Sequence, residues 1–257
     1  MIAEIMKAIA STIFIALATA SCTSFYEVPI ETPIQSKLDV SAFSRVLVAG
    51  FVAGGLEDID ANRETVRLLR SQLRNNSDLE VLEADVLALA EIVASQANAN
   101  ENETEFQPEQ LPEEINNERD LELFERIFSN TDYWRRLGEE HQNPLIVTGT
   151  VLFTPHSRSG FVTREQETYD SFGRRQVVPV RTYSERRGFI LRPKFIFIDG
   201  RTGATLYSES FREEILYNIS RHTSPLSSYF ELADRLLPSF LSTLSSQKIS
   251  GTRILLR

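Results

Sequence analysis

The first part of the chain contains two kinds of apolar pattern. In some segments the apolar residues form a short continuous run, and in others they recur every three to four residues. Residues 45–51 form a short apolar run bounded by polar residues, which is typical of a strand buried on both faces. Residues 63–74 follow with apolar side chains on one face of a predicted helix, which Asp60 or Asn62 can cap. The pattern therefore predicts a strand that leads directly into a helix.

The same order of strand and helix returns further along the chain. Residues 80–82 predict a short second strand, and Asp85 can cap the helix after it. A third helix is predicted over 121–141. Residues 145–153 carry the strongest strand signal because they are rich in β-branched and aliphatic residues. Gly149 within this strand indicates a bend or the close approach of another backbone.

The second half of the chain has the pattern of antiparallel strands. Polar residues alternate with apolar or aromatic ones over 156–188, around the turn candidate 170–173, so a projecting hairpin is predicted there. Another strand at 189–198 leads through the turn 199–203 to a partner strand at 204–217. These segments predict that most of the sheet is antiparallel.

The order of the elements defines the fold class. Ser224 begins a final helix, in which Pro238 should cause a kink or a break, and residues 253–256 form a last short strand. This order predicts an α+β fold (mixed α/β), with a mixed, largely antiparallel sheet packed against helices. Residues 98–118 are rich in Glu, Gln, Asn and Pro, so they are predicted to be a long, disordered acidic loop insertion.

The N-terminal residues carry a targeting signal. Residues 1–21 combine a short start with one lysine, an apolar stretch and small residues before Cys22, which is the layout of a secretory signal peptide. The sequence Thr-Ala-Ser-Cys at 19–22 resembles the bacterial lipobox, whose cysteine becomes the N terminus of the mature protein and carries lipid, including palmitate. Residues 22–43 are predicted to be the lipidated cysteine and an extended, proline-containing tether. Residues 44–257 then form a single domain.

Composition and charge narrow the possible partners. The formal net charge of -9 argues against a nucleic-acid partner. Cys22 is the single cysteine, so an intrachain disulfide is excluded. His141, His156 and His222 do not have the spacing of metal ligands, and the glycines at 50–55 are not followed by Gly-Lys-Ser/Thr. No catalytic, cofactor-binding or metal-binding residue is therefore predicted.

Three segments taken in order resemble a group of envelope lipoproteins. They are Arg45-Val-Leu-Val-Ala-Gly-Phe51, Val147-Thr-Gly-Thr-Val151 and Phe197-Ile-Asp-Gly-Arg-Thr-Gly-Ala-Thr-Leu206. Preceded by the lipobox cysteine and the tether, they resemble the periplasmic domain of the curli-secretion lipoprotein, the lipoprotein activators of penicillin-binding proteins and the N-terminal domain of TolB. The resemblance implies a non-enzymatic module of the cell envelope.

The predicted hairpin is rich in arginine although the chain as a whole is acidic. These side chains can contact an anionic partner such as a glycan, a lipid headgroup or an acidic protein face. The alternative is a solvated ribbon whose charges protect its edges. Charged residues on both faces argue against the lipid-facing strands of a pore. The possible partner-binding residues are Arg174, Arg175, Arg181, Arg186 and Arg187.

These observations predict a non-enzymatic binding or assembly module that faces the periplasm and is anchored to the membrane through lipidated Cys22. The residue after Cys22 is Thr23 and not the aspartate that retains such proteins at the inner membrane, so the outer membrane is favoured. The predicted partners are the membrane and an envelope protein or anionic glycan, without a cofactor. Two alternatives are an oligomeric secretion channel and an envelope hydrolase with an unrecognised site, whose candidate residues are Ser245, His222 and the Asp and Glu residues.

Overall fold

The computed structural model describes residues 25–34, 36–100, 111–218, 223–245 and 247–256. The predicted signal peptide (1–21), Cys22 and His222 lie outside the described residues. The described strands are β1 (Phe25–Ile34), β2 (Arg45–Gly55), β3 (Glu80–Val81), β4 (Leu145–Tyr169), β5 (Arg175–Asp199), β6 (Thr205–Ser210), β7 (Glu213–Asn218) and β8 (Gln247–Leu256). The described helices are α1 (Ala61–Asn76), α2 (Leu89–Asn100), α3 (Glu118–Phe124), a 3₁₀ helix (Glu125–Ser129), α4 (Thr131–Glu140) and α5 (Pro225–Leu244).

The chain divides into two compact units, and the described residues of the smaller unit are 25–34 and 247–256. In this unit β1 and β8 form a two-stranded antiparallel sheet. The sequence predicted an extended tether over 22–43, which is corrected because β1 in this range pairs with β8. It also predicted a last strand of only four residues, whereas β8 has ten. Pro29 and Pro33 suggested a tether, because proline has no backbone N–H to donate. The two prolines lie an even number of residues apart, so the positions without an N–H are on the same edge of the strand, and an edge strand tolerates this.

The larger unit, Ser36–Ser245, is built on a six-stranded sheet. The strand order is β3-β2-β4-β5-β6, and β7 pairs with β5 next to β6. Strands β2, β3 and β4 are parallel, whereas β4, β5, β6 and β7 pair antiparallel. The α+β prediction with a mixed, largely antiparallel sheet is therefore confirmed.

Helices cover both faces of this sheet. Val147 and Val151 of β4 point into an apolar core with α1 and α5, whereas Ile146 and Leu152 point into a second core with α2, α3 and α4. A strand that is buried on both faces needs apolar residues at most positions, which explains the apolar residues on both sides of the Thr-Gly-Thr segment in the buried stretch 145–153.

Several predicted boundaries change for local reasons. The single helix predicted over 121–141 is divided because Asn130 caps α4, its Oδ1 accepting a hydrogen bond from the N–H of Tyr133 at 3.1 Å. The helix predicted from Asp85 begins at Leu89 instead, because the N–H of Leu87 donates to the carbonyl of Ala49 at 2.9 Å.

Three further predictions change: two are corrected, and of the kink or break predicted at Pro238 the break is excluded. The insertion predicted over 98–118 is ordered at both described ends, since α2 continues to Asn100 and Ile115 is buried, while residues 101–110 lie outside the described residues. Helix α5 continues through Pro238 without a break. The strand predicted over 204–217 is divided into β6 and β7.

Candidate functional site: a projecting two-stranded ribbon

Strands β4 and β5 continue far beyond the cores as a two-stranded ribbon, defined here as residues 156–169 and 175–188. At about 3.3 Å per residue, fourteen residues span roughly 45 Å. From residue 154 of β4 to residue 187 of β5, every residue is half-buried or exposed. Strand β2 pairs with β4 only as far as Phe153, and β7 pairs with β5 only from Arg186 onward. Within the described residues, both edges of the outer ribbon are therefore unpaired.

The turn at the tip of the ribbon is closed by Asp170. Its Oδ1 accepts hydrogen bonds from the N–H groups of Phe172 and Arg174, both at 2.9 Å, and its Oδ2 accepts one from Arg174 Nε at 2.8 Å. The bond from the Arg174 N–H is the main reason that the pKa of Asp170 lies below its ordinary value. Gly173 has a φ of 74°, which suits the turn predicted from the sequence.

Strand pairing gives the ribbon two different faces, because directly opposed residues of an antiparallel pair lie on the same face. The aromatic face holds Phe161 opposite Tyr183 and Tyr169 opposite Arg175. The Phe161 and Tyr183 rings meet edge to face at 5.4 Å and are 63% and 57% exposed. The guanidinium of Arg181 lies 4.6 Å from the centre of the Phe161 ring.

The charges on the aromatic face are largely balanced. Arg187 forms an ion pair with Glu185 at 2.8 Å, and Arg175 forms one with Glu167. At the tip, the ring of Phe172 is 82% exposed and lies beneath the Arg174 guanidinium. This face therefore offers apolar and aromatic surface more than net charge.

An open cleft of about 560 Å³ lies at the base of the ribbon, with residues such as Ser157, Arg187 and Tyr217 in its lining.

The second face, here called the basic face, is different. It holds Arg158 directly opposite Arg186, and further out it holds Arg164. None of the ribbon residues on this face is acidic. The nearest carboxylate is that of Glu214 in β7, 3.4 Å from Arg158 Nη2 and 3.7 Å from His156 Nε2. The positive charge of the ribbon is therefore concentrated on this face.

The five arginines predicted to bind a partner are not brought together. Arg174 lies in the turn, Arg175, Arg181 and Arg187 lie on the aromatic face, and Arg186 lies on the basic face. Sequence reasoning missed the Phe161–Tyr183 pair, because the observed loop extends one residue beyond the predicted turn, with the N–H of Asp170 donating to the carbonyl of Arg174 at 3.0 Å, and this extra residue sets the register that brings the two rings together. It also missed Glu214, for which no local pattern gave a signal.

Residues considered for chemistry have structural roles where they are described. The hydroxyl of Ser245 donates to the carbonyl of Leu241 at 3.0 Å at the end of α5. Among the residues that the structure describes, no group of three or more His, Cys, Asp or Glu side chains is placed to hold a metal ion. No helix in the described ranges has both the length and the apolar character needed to cross a membrane.

No protein-family model matches the chain, and no curated protein matches it. Solved structures with a similar arrangement include a PelC dodecamer from Paraburkholderia phytofirmans, at 13% identity and a TM-score of 0.37, covering 86% of this chain and 100% of that chain. Lipoprotein GNA1162 from Neisseria meningitidis is similar over 77% of this chain and 97% of its own, at 13% identity and a TM-score of 0.33. Similarity at this level carries no information about function.

Proposed function

We propose that this protein is a bacterial envelope lipoprotein, anchored through Cys22, that acts as a non-enzymatic binding or assembly module. The ribbon is its binding surface, and the aromatic face is the part that contacts the partner. The site of action is the periplasmic side of the outer membrane. The partner is another envelope component.

The exposed aromatic face carries this proposal. Phe161 and Tyr183 together with Tyr169 and Phe172 are between 57% and 82% exposed, on a segment that contributes no side chain to either core. A row of large exposed aromatic side chains marks an interaction surface, because burying such rings against a partner is strongly favourable. An isolated two-stranded ribbon is also only marginally stable in water, so a partner that covers it would stabilise it.

The anchor is proposed from residues 1–22. A cysteine that directly follows small residues at the end of a signal peptide can be acylated only if the chain is exported. Cells grown with a clickable fatty-acid analogue should label the wild-type protein and not the Cys22→Ala variant. An unlabelled wild-type protein that remains in the cytosol would contradict the anchor.

The binding surface can be tested with a photo-crosslinking amino acid placed on either face of the ribbon in living cells. We expect crosslinked adducts from positions 169 and 183 on the aromatic face. The matched positions 168 and 182 point to the basic face and should give few adducts. Equal adduct yields from both faces, or none from either, would count against the aromatic face as the binding surface.

A further inference from the structure

We propose that the base of the basic face is a binding site for a phosphate group, held between Arg158 and Arg186. This site is separate from the aromatic face and does not depend on the lipid anchor or on the partner proposed above. Arg158 comes from β4, Arg186 comes from β5, and Arg212 and His156 lie beside them.

Two arginines are directly opposed at the base of the basic face. Arg158 and Arg186 are direct cross-strand partners, so their side chains leave the ribbon on the same face with β carbons about 5 Å apart. Two like charges in this position are destabilising. Neither residue is needed to fill a core, since both are exposed. A ligand that carries negative charge would turn this unfavourable pair into a favourable one.

The local carboxylate does not balance the cluster. Glu214 faces Arg158 at 3.4 Å and Arg212 at 4.0 Å, and Arg186 forms no ion pair with any described residue. The single negative charge of Glu214 is therefore shared by Arg158 and Arg212, and Arg186 has no acidic partner among the described residues.

His156 adds an unused hydrogen-bonding atom. Its Nε2 is buried and makes no hydrogen bond to the described part of the protein, and the nearest Glu214 oxygen lies 3.7 Å away, which is too far for one. A buried polar atom without a partner is unfavourable, and a rotation of the partly exposed ring would let a bound anion supply the missing partner. The His156 ring lies next to Arg158 along the same face, since the two residues are two positions apart in β4.

The geometry favours phosphate over a carboxylate. A guanidinium presents a planar fork of N–H donors that matches two oxygens of either group. A phosphomonoester carries about -1.5 to -2 charges at neutral pH, so it can balance two guanidinium groups, whereas a carboxylate balances only one. The side chains of Arg158 and Arg212 are 66% and 60% exposed, so the site is open to a phosphate on a soluble molecule or on a lipid headgroup.

The test uses the full chain with Cys22→Ser, so that acylation does not contribute, and inorganic phosphate as the probe. Calorimetric titration at constant ionic strength should show saturable binding. Arg158→Gln combined with Arg186→Gln should weaken it about tenfold or more, because each lost bond is charge-assisted. The control pair Arg164→Gln and Arg181→Gln removes the same charge elsewhere on the ribbon and should change affinity less than about twofold.

Two results of this titration would overturn the phosphate site. Absent binding, or equal weakening by both pairs, overturns the site, since the second result would reflect overall charge alone. The thermal midpoint of the test variant should equal or exceed that of the parent protein, because repulsion is removed, and this shows that any lost binding is not unfolding.

Vesicles distinguish the two sources of phosphate. The protein is mixed with phosphatidylcholine vesicles that do or do not contain phosphatidic acid. Stronger capture by the vesicles with phosphatidic acid, if free phosphate reverses it, assigns a lipid headgroup. Binding of free phosphate without such capture assigns a soluble phosphate ester. Both results support the site.

Discussion

Gly149 lies in the middle of β4, directly opposite Phe195 of β5, and shows how one residue fixes the contact between the two longest strands. Its φ is 145°, and a β carbon added there would lie 1.8 Å from the carbonyl oxygen of Lys194. The sequence predicted a bend or a close backbone approach at this position, and the structure confirms the close approach.

Gly149→Ala should therefore lower the free energy of unfolding by about 3 kcal/mol, because the new methyl group forces the two strands apart and the backbone favours glycine. Gly160→Ala in the same strand is the matched control, since a β carbon there meets nothing within 4 Å, and its effect should stay within about 0.5 kcal/mol. Urea denaturation of both variants measures the difference. Equal effects would show that the contact at Gly149 does not limit stability.

Asn62 shows what residue-level patterns miss. The sequence offered Asp60 or Asn62 as the cap of α1, and the structure uses Asp60, whose Oδ1 accepts from the N–H of Arg63 at 2.9 Å. Asn62 instead accepts from the N–H of Phe51 at 2.8 Å and donates to the carbonyl of Leu87 at 3.0 Å. Local patterns could not predict this role, because the partners lie 11 and 25 residues away in sequence.

At the scale of elements, the turn at Asp170 determines the register of the whole ribbon. The alternation of residue types predicted the strands. Which residues are opposed could not be predicted from the turn at 170–173, because the loop also includes Arg174. The division of residue types between the two faces of each strand could be worked out from the sequence, because alternate residues lie on opposite faces. The pairing of β1 with β8 could not, because the two strands lie at opposite ends of the chain and no local signal links them.

Asp170→Ala should loosen the ribbon from its tip, because three hydrogen bonds to the turn are lost. Amide hydrogen exchange in the outer ribbon should become faster, while exchange in β2 and the inner half of β4 stays unchanged. Glu165→Ala is the control, since it removes a ribbon carboxylate that forms no ion pair with a described residue. Faster exchange in both variants would point to a charge effect instead of a turn effect.

The same turn should respond to pH. Because the folded-state pKa of Asp170 is lowered, its contribution to stability is present above its ordinary pKa of 3.8 and is lost as the pH falls through the folded-state value. The protection of the tip amides, measured relative to their intrinsic exchange rate at each pH, should accordingly fall only under acidic conditions. Unchanged protection of the tip in acid would contradict this role of the carboxylate.

At the scale of the whole molecule, the ribbon and the body differ in charge and in burial. Residues 156–188 hold seven arginines and four acidic residues, a net charge of +3 in a chain of net charge -9. The sequence predicted this contrast, but it could not show which arginines already have acidic partners, since Glu214 reaches the basic face only through the pairing of β7 with β5. The ribbon is therefore a separable appendage with its own electrostatic character.

A variant in which Asn-Gly replaces residues 159–185 tests this separation. The removed segment contains no buried residue, so the thermal midpoint should change by less than about 4 °C. Arg158 and Arg186 remain, joined by a tight turn, so phosphate binding should persist while the aromatic face and its crosslinked partner are lost. A large fall in the thermal midpoint would instead make the ribbon part of the cooperative fold, and loss of phosphate binding in a folded variant would contradict the site between Arg158 and Arg186.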